Sequence, residues 1–253
     1  MNEAHFFHYL VLFWLGLAGA IFLTLFFVVA PYGRHSSVRW GPGLRPRTGW
    51  MVMESVSPVI FALLFILGTD RYSPTALIFL ALWECHYIHR AFIYPLQLRP
   101  SSKTIPILIV GLGMLFNGVN SYINGRYLFT LSGGYPTQWL TDPRFIIGTA
   151  LFVTGFIINR HSDYILRSLR QPREYGYRIP EQGLFRWISC PNYLGEIIIW
   201  TGWAIATWSL AGLSFCLWTT ANLAPRARAH HIWYKSHFDE YPAQRKTLIP
   251  YVW

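Results

Sequence analysis

Apolar residues run along this chain in seven stretches of about 20 residues, the length that spans a bilayer core as a helix. They lie at approximately 6–30, 50–68, 74–97, 105–124, 144–162, 192–208 and 210–225. The last two are separated only by a tight turn near Ser209, which predicts a helical hairpin. The fourth turns polar at its far end. Pro42, Pro46 and Gly49 punctuate the first connection, and Gly133, Gly134 and Pro136 the fourth. No internal repeat interrupts the pattern. It predicts an all-α, polytopic membrane protein with seven transmembrane helices in one domain over residues 1–253.

The basic residues orient that bundle. If the seven stretches alternate, Arg34, Arg39, Arg45 and Arg47 share a side with Arg99 and Lys103. The six arginines from Arg160 to Arg186 lie there too, as do Arg226, Arg228, Lys235, Arg245 and Lys246. Only Arg71, Arg126 and Arg144 lie opposite, and Arg90 falls inside a stretch. Cytoplasmic loops collect Lys and Arg, so the N-terminus is expected outside and the C-terminus in the cytoplasm.

Composition agrees with a membrane protein: 53% of residues are hydrophobic and 13% charged, against about 25% charged in soluble domains. The net charge of +10 then reflects cytoplasmic loops rather than nucleic-acid binding. Three cysteines, Cys85, Cys190 and Cys216, form neither a CxxC pair nor an even set, so no disulfide framework is expected. Glu3, His5 and His8 stand where a cleavable signal peptide would carry basic residues, so none is expected.

Several polar residues break the apolar runs. Glu54 lies within the second, and Glu84, His86, Tyr87, His89 and Arg90 lie in the third. An ionisable residue at bilayer depth costs roughly 2.5–3.5 kcal/mol on insertion scales and marks a site by default. A helix–helix hydrogen bond is the other reading of Glu54. Helical spacing gathers Tyr87, Arg90 and Tyr94 within about 60°, with Glu84 just beyond. Asn159, Asp163, Arg167 and Arg170 form a stripe running out of the fifth stretch. It suits a polyanionic ligand, or equally a solvated face with an Asp163–Arg167 pair. Asn192 and Glu196 begin the sixth stretch, and a buried Glu196 needs a ligand or a neighbouring helix as partner. Arg226, His230, Tyr234 and His237 share a face beyond the seventh. Arg173, Arg178 and Arg186 belong to the same side. These groups around one cytoplasmic mouth offer what a dinucleotide needs. A Rossmann fold is not expected, because no GxGxxG opens a helix after a strand. No metal site is expected either, because His86, His89, His230 and His231 do not build the repeated histidine boxes of a di-iron centre.

Taken in order, the motifs resemble the steroid 5-alpha-reductase (3-oxo-5-alpha-steroid 4-dehydrogenase) family over nearly the whole chain. They include Tyr32-Gly33-Arg34-His35, Trp50 with Glu54, and His86 to Arg90 through Tyr94-Pro95. Asn159 to Arg167, Tyr177-Arg178-Ile179-Pro180 and Pro191 to Glu196 follow, then Arg226 to His231, Tyr234 and Phe238 to Pro242. The resemblance implies an NADPH-dependent enone reductase with seven transmembrane helices. It implies that Glu54 and Tyr87 hold the steroid 3-keto oxygen and that Trp50 and Phe116 line the steroid cavity. It assigns cofactor binding to Tyr32, Arg90, Tyr94, Asn159, Asp163, Arg167, Arg170, Arg178, Asn192, Glu196, His230 and Tyr234. The chain departs from the animal reductases after the third helix, where Leu98 to Lys103 replaces an Asn-Arg-Gly type stretch. Leu98 is therefore not expected to bind cofactor, and Arg99 is only loosely assigned.

The expected chemistry is hydride transfer to the enone β-carbon, with charge building on the carbonyl oxygen. Tyr87 would donate to that oxygen, and Glu54 should be protonated or share a proton. The expected partners are a steroid or other lipophilic enone and the bilayer, with no nucleic acid and no required protein partner. The membrane would be a bacterial inner membrane or, in a eukaryote, the endoplasmic reticulum. Competing readings are an enoyl-lipid reductase of the same fold, a methyltransferase of the isoprenylcysteine or phospholipid type, and a sterol-binding scaffold. The methyltransferase reading leaves Glu54 and Tyr87 without a task.

Overall fold

A computed structural model describes residues 2–31, 33–35, 40–99, 103–169 and 176–253. Among them are seven long helices: α1 Glu3–Leu25, α2 Pro46–Leu67, α3 Pro74–Gln97, α4 Ile107–Leu131, α5 Pro143–Ser168, α6 Pro191–Thr207 and α7 Leu210–His237. Local chemistry explains their starts. Proline opens α2, α3 and α6, where its missing N–H costs nothing. Ser73 and Ser209 cap α3 and α7, accepting from Ala76 N at 3.1 Å and Gly212 N at 3.0 Å. Between α6 and α7 the tight turn is made by Trp208 in the left-handed region, φ 44°.

Five helices, α1 to α5, are long and apolar enough to cross a membrane. α6 has 17 residues. α7 runs well past the expected end at residue 225, continuing through Pro225 to His237. It thereby carries Arg226, His230 and Tyr234 on one continuous helix.

The described chain packs as two compact units: residues 1–11 with 30–142, and residues 12–29 with 143–253. In the first, Phe61, Phe79, Trp83, Ile123 and Phe129 are fully buried. Phe61 stacks on Trp83 with centroids 4.2 Å apart and planes 6° apart, and Trp83 lies 5.1 Å from Tyr87. A two-stranded antiparallel pair, β1 Gly43–Leu44 and β2 Ile105–Pro106, joins the entries of α2 and α4. At the other end Arg126 Nε and Nη2 donate to Glu3 Oε1 and Oε2 at 2.7 and 3.0 Å.

In the second unit, α5 and α6 meet backbone to backbone. A Cβ on Gly155 would lie 2.6 Å from Gly195 O, and one on Gly195 would lie 2.6 Å from Asn159 N. Small residues permit such approach in membrane helices. Trp200, Trp203 and Ile199 of α6 fill the core beside it, with Trp200 3.8 Å from Phe215 of α7.

Candidate functional site

In the first unit, Glu54 on α2 is 8% exposed and Tyr87 on α3 is 3% exposed. Asn117 of α4 joins them. Its Nδ2 donates to Met53 O at 2.8 Å and to Glu54 Oε2 at 3.3 Å, and its Oδ1 accepts from Tyr87 OH at 3.5 Å. A primary amide fits this position because it donates and accepts at once. The other carboxylate oxygen, Glu54 Oε1, lies 3.6 Å from Arg90 Nε. Arg90 sits in a π turn of α3, His89–Ile93, a distortion frequent at functional sites. Its guanidinium packs 4.8 Å from the Trp50 ring and 5.9 Å from that of Tyr94. Trp50, Glu54, Tyr87, Arg90 and Tyr94 thus form one cluster, of which helical spacing predicts the Tyr87, Arg90 and Tyr94 part. Phe116 is half-buried beside Asn117. After α3, Arg47 Nε and Nη2 donate to Leu98 O at 2.9 and 2.6 Å, and Arg99 is exposed.

The second unit brings together Asn159, Asp163, Asn192 and Glu196. The α5–α6 glycine contact makes this possible, since Gly195 meets the backbone of Asn159 itself. Asn159 Nδ2 donates to Asn192 O and Glu196 Oε2, both at 3.0 Å, and Trp200 Nε1 donates to Glu196 Oε1 at 3.1 Å. The partner that buried Glu196 requires is therefore a neighbouring helix together with its own. Asn192 Nδ2 donates to Asp163 Oδ1 at 3.5 Å. Asp163 pairs with Arg160 at 3.9 Å, where an Asp163–Arg167 pair was one expectation. Arg167 Nη1 is buried without a hydrogen-bond partner among the described residues. A guanidinium N–H in that state suits a phosphate oxygen, so these residues fit a phosphorylated cofactor.

His230 and Tyr234 of α7 are 7% and 3% exposed. The Tyr193 hydroxyl links α6 to α7, bonding His230 Nε2 at 3.1 Å and accepting from Arg226 Nε at 3.2 Å. Arg178 is exposed, and its neighbour Tyr177 packs edge-on against Trp233, 4.9 Å away. Tyr32 and Arg170 lie outside the described residues.

Behind Tyr234 lies a group that helical spacing alone could not find. Ser189 Oγ bonds His231 Nδ1 at 2.6 Å and Tyr241 OH at 2.7 Å, and donates to Lys246 O at 3.0 Å as an alternative. Burial, and then Lys235, Arg245 and Lys246, hold His231 below the usual histidine range. Burial pushes the Tyr241 phenol up, so it stays protonated. Asn117 was missed for a different reason: a single Asn on an apolar helix reads as helix glue until its partners are known.

A family model described as 3-oxo-5-alpha-steroid 4-dehydrogenase matches residues 103–253. The chain is 43% identical over 256 residues to steroid 5-alpha-reductase DET2 of Arabidopsis thaliana, covering 98% of this chain and 97% of that one. It is 40% identical over 226 residues to 3-oxo-5-alpha-steroid 4-dehydrogenase 1 of Homo sapiens, covering 87% and 85%. Against steroid 5-alpha-reductase DET2 of Solanum lycopersicum it is 37% identical, covering 100% and 99%.

Proposed function

The chain belongs to the steroid 5-alpha-reductase family of oxidoreductases acting on CH–CH groups, and from that premise we propose that it reduces the C4=C5 bond of 3-oxo-Δ4-steroids with NADPH. The observation that carries the mechanism is the buried Tyr87–Asn117–Glu54 group on three apolar helices. NADPH, when bound, supplies the hydride that reaches C5. Charge then builds on the 3-keto oxygen, and a donor already aimed at that oxygen lowers the barrier most in a dry site. Tyr87 is that donor. Its 3.5 Å bond to Asn117 is long, so little is lost when the phenol turns to a substrate carbonyl. Glu54 partners it and should be protonated or share a proton. Arg90, 3.6 Å away, offers a second means of keeping a Glu54 charge from repelling the enolate. C4 is then protonated.

Trp50 and Phe116 line the steroid in this reading. Asn159, Asp163, Arg167, Asn192, Glu196, His230 and Tyr234 hold the cofactor, with Arg90, Tyr94, Arg178, Tyr32 and Arg170 completing the set. Arg167 meets phosphate, while Asn159 and Glu196 offer an amide and a carboxylate to amide or ribose groups. We take residues 1–253 as one reductase domain with seven membrane crossings, the N-terminus outside and the C-terminus cytoplasmic. The one-sided Lys and Arg distribution supports this, as does the meeting of Glu3 with Arg126 at the sparsely basic end. The host membrane is a bacterial inner membrane or the endoplasmic reticulum, and no protein partner is required.

The test is NADPH oxidation by the purified enzyme in nanodiscs against a panel of Δ4-3-ketosteroids and long-chain enoyl lipids. A 5α-reduced steroid product is expected. Turnover of enoyl lipids alone would replace the substrate. Binding of S-adenosylmethionine without NADPH oxidation would overturn the reductase.

A further inference from the structure

The segment after α7 folds back as a strap within the second unit. Lys246 N donates to Trp187 O at 2.8 Å and Ser189 N donates to Lys246 O at 2.9 Å, making a parallel bridge at Ile188. Leu248 is buried with Cys190 of the α6 entry and with Ala224 and Ala227 of α7. Tyr241, 7% exposed, is where the strap meets α7 and Ser189, two residues before α6 begins. Its ring stacks on Tyr234 with centroids 5.3 Å apart and planes 10° apart. Its hydroxyl bonds Ser189 Oγ at 2.7 Å, and Ser189 Oγ bonds His231 Nδ1. The Arg245 guanidinium, itself 3% exposed, packs 4.9 Å from the same ring. Ser189 stands three positions before Asn192, and Tyr234 stands four after His230.

We propose that Tyr241 is a positioning residue of the cofactor site, setting Tyr234 by stacking and tying it through Ser189 to the start of the helix that carries Asn192 and Glu196. The proposal rests on the reading of Tyr234 and its neighbours as cofactor residues. Tyr241 itself touches no cofactor in this scheme. It fixes the ring of Tyr234 in one rotamer and holds the two ends of the site at one spacing. An aromatic ring is needed for the first task and a hydroxyl for the second, which is why tyrosine serves both.

The experiment compares Tyr234→Leu, Tyr241→Leu, Tyr241→Phe, Ser189→Ala and the double leucine variant in nanodiscs. NADPH and NADP+ dissociation constants are measured by calorimetry, alongside kcat, both KM values and the thermal midpoint. Tyr241→Leu should weaken both nucleotides roughly tenfold, the scale of a lost aromatic contact, with steroid KM unchanged. Tyr241→Phe keeps the stack and should weaken them about threefold, and Ser189→Ala should match it. The double variant should bind within about threefold of Tyr234→Leu alone rather than tenfold more weakly, because the stack acts through the Tyr234 ring and only the hydroxyl tie through Ser189 is left to lose. Additive weakening would overturn the proposal. So would a lower thermal midpoint with nucleotide affinity unchanged, which marks a residue of the core only. If Tyr241→Leu does not fold, the Phe and Ala variants decide by the same affinities. Normal nucleotide binding by Tyr234→Leu would instead remove the cofactor reading, and this proposal with it. Weakening by Tyr234→Leu with none by the Tyr241 variants would remove this proposal alone.

Discussion

At Tyr87 the phenol donates to Asn117, and the same amide donates to Glu54, so the polar pair is held by a third helix. Removing a preorganised donor costs about 2.7–4 kcal/mol, or 100- to 1000-fold in rate. Tyr87→Phe and Glu54→Gln should each lose kcat on that scale while NADPH affinity, measured by calorimetry, stays near wild type. Turnover by Tyr87→Phe within a few fold of wild type would remove Tyr87 from the mechanism. Glu54, Tyr87 and Arg90 were legible in the sequence because polar groups at bilayer depth are rare. Asn117 was not, since its role depends on which helices face it. Another residue-scale consequence concerns pH. His231 is held below the ordinary histidine value of about 6.5 by burial and neighbouring cations. Below that value the unfolded chain binds a proton that the native state resists. Stability is therefore full above pH about 6.5 and falls as the solution is acidified through the lowered native value. Thermal midpoints between pH 8 and 5 should decline less steeply in His231→Asn than in wild type. Parallel declines would show that His231 does not contribute.

Among the elements, α5 and α6 depend on glycines more than on side-chain interlock. Gly155 and Gly195 face each other, and Gly202 repeats the contact against Gly148, where a Cβ would lie 2.5 Å from the Gly148 carbonyl. Gly195→Ala forces the backbones apart and should destabilise the unit by about 1–3 kcal/mol, the usual cost of overpacking. It should also weaken NADPH binding, because Asn159 then loses its register with Asn192 and Glu196. Unchanged nucleotide affinity in Gly195→Ala would separate the glycine contact from the site. Hydropathy placed all seven helices within a few residues at most ends. It misplaced the end of α7, because charged residues beyond Pro225 read as a loop when judged by apolarity. The helix persists there because its backbone bonds and its buried face, including Ala227, His230 and Tyr234, do not require an apolar surface.

For the whole molecule, the distribution of basic residues makes a topological claim. Gln138, between α4 and α5, and Ser236, near the end of α7, are both exposed. Cysteines placed there, in a background lacking Cys85, Cys190 and Cys216, can be probed with an impermeant thiol reagent in sealed vesicles of known orientation. Gln138→Cys should label from outside and Ser236→Cys only after permeabilisation. Labelling of both from one side would mean an even number of crossings between them and would end the seven-span topology. Glu54 and Tyr87, the pair proposed to polarise the carbonyl, lie before residue 142, and most of the residues proposed to hold the cofactor lie after it. That division coincides with the two compact units.

By itself the sequence determined the fold class, the positions of the helices, the family and the residue types available for chemistry. Hydropathy, Lys and Arg placement and motif order are all written along one dimension, and each has a strong physical cost behind it. Tertiary structure alone decided the pairings. Asn117 between Glu54 and Tyr87, Arg160 rather than Arg167 beside Asp163, and Tyr241 behind Tyr234 depend on helix rotation and approach. Those follow from packing among residues distant in the chain. Gly155 against Gly195 and Phe61 against Trp83 set distances that no local pattern encodes.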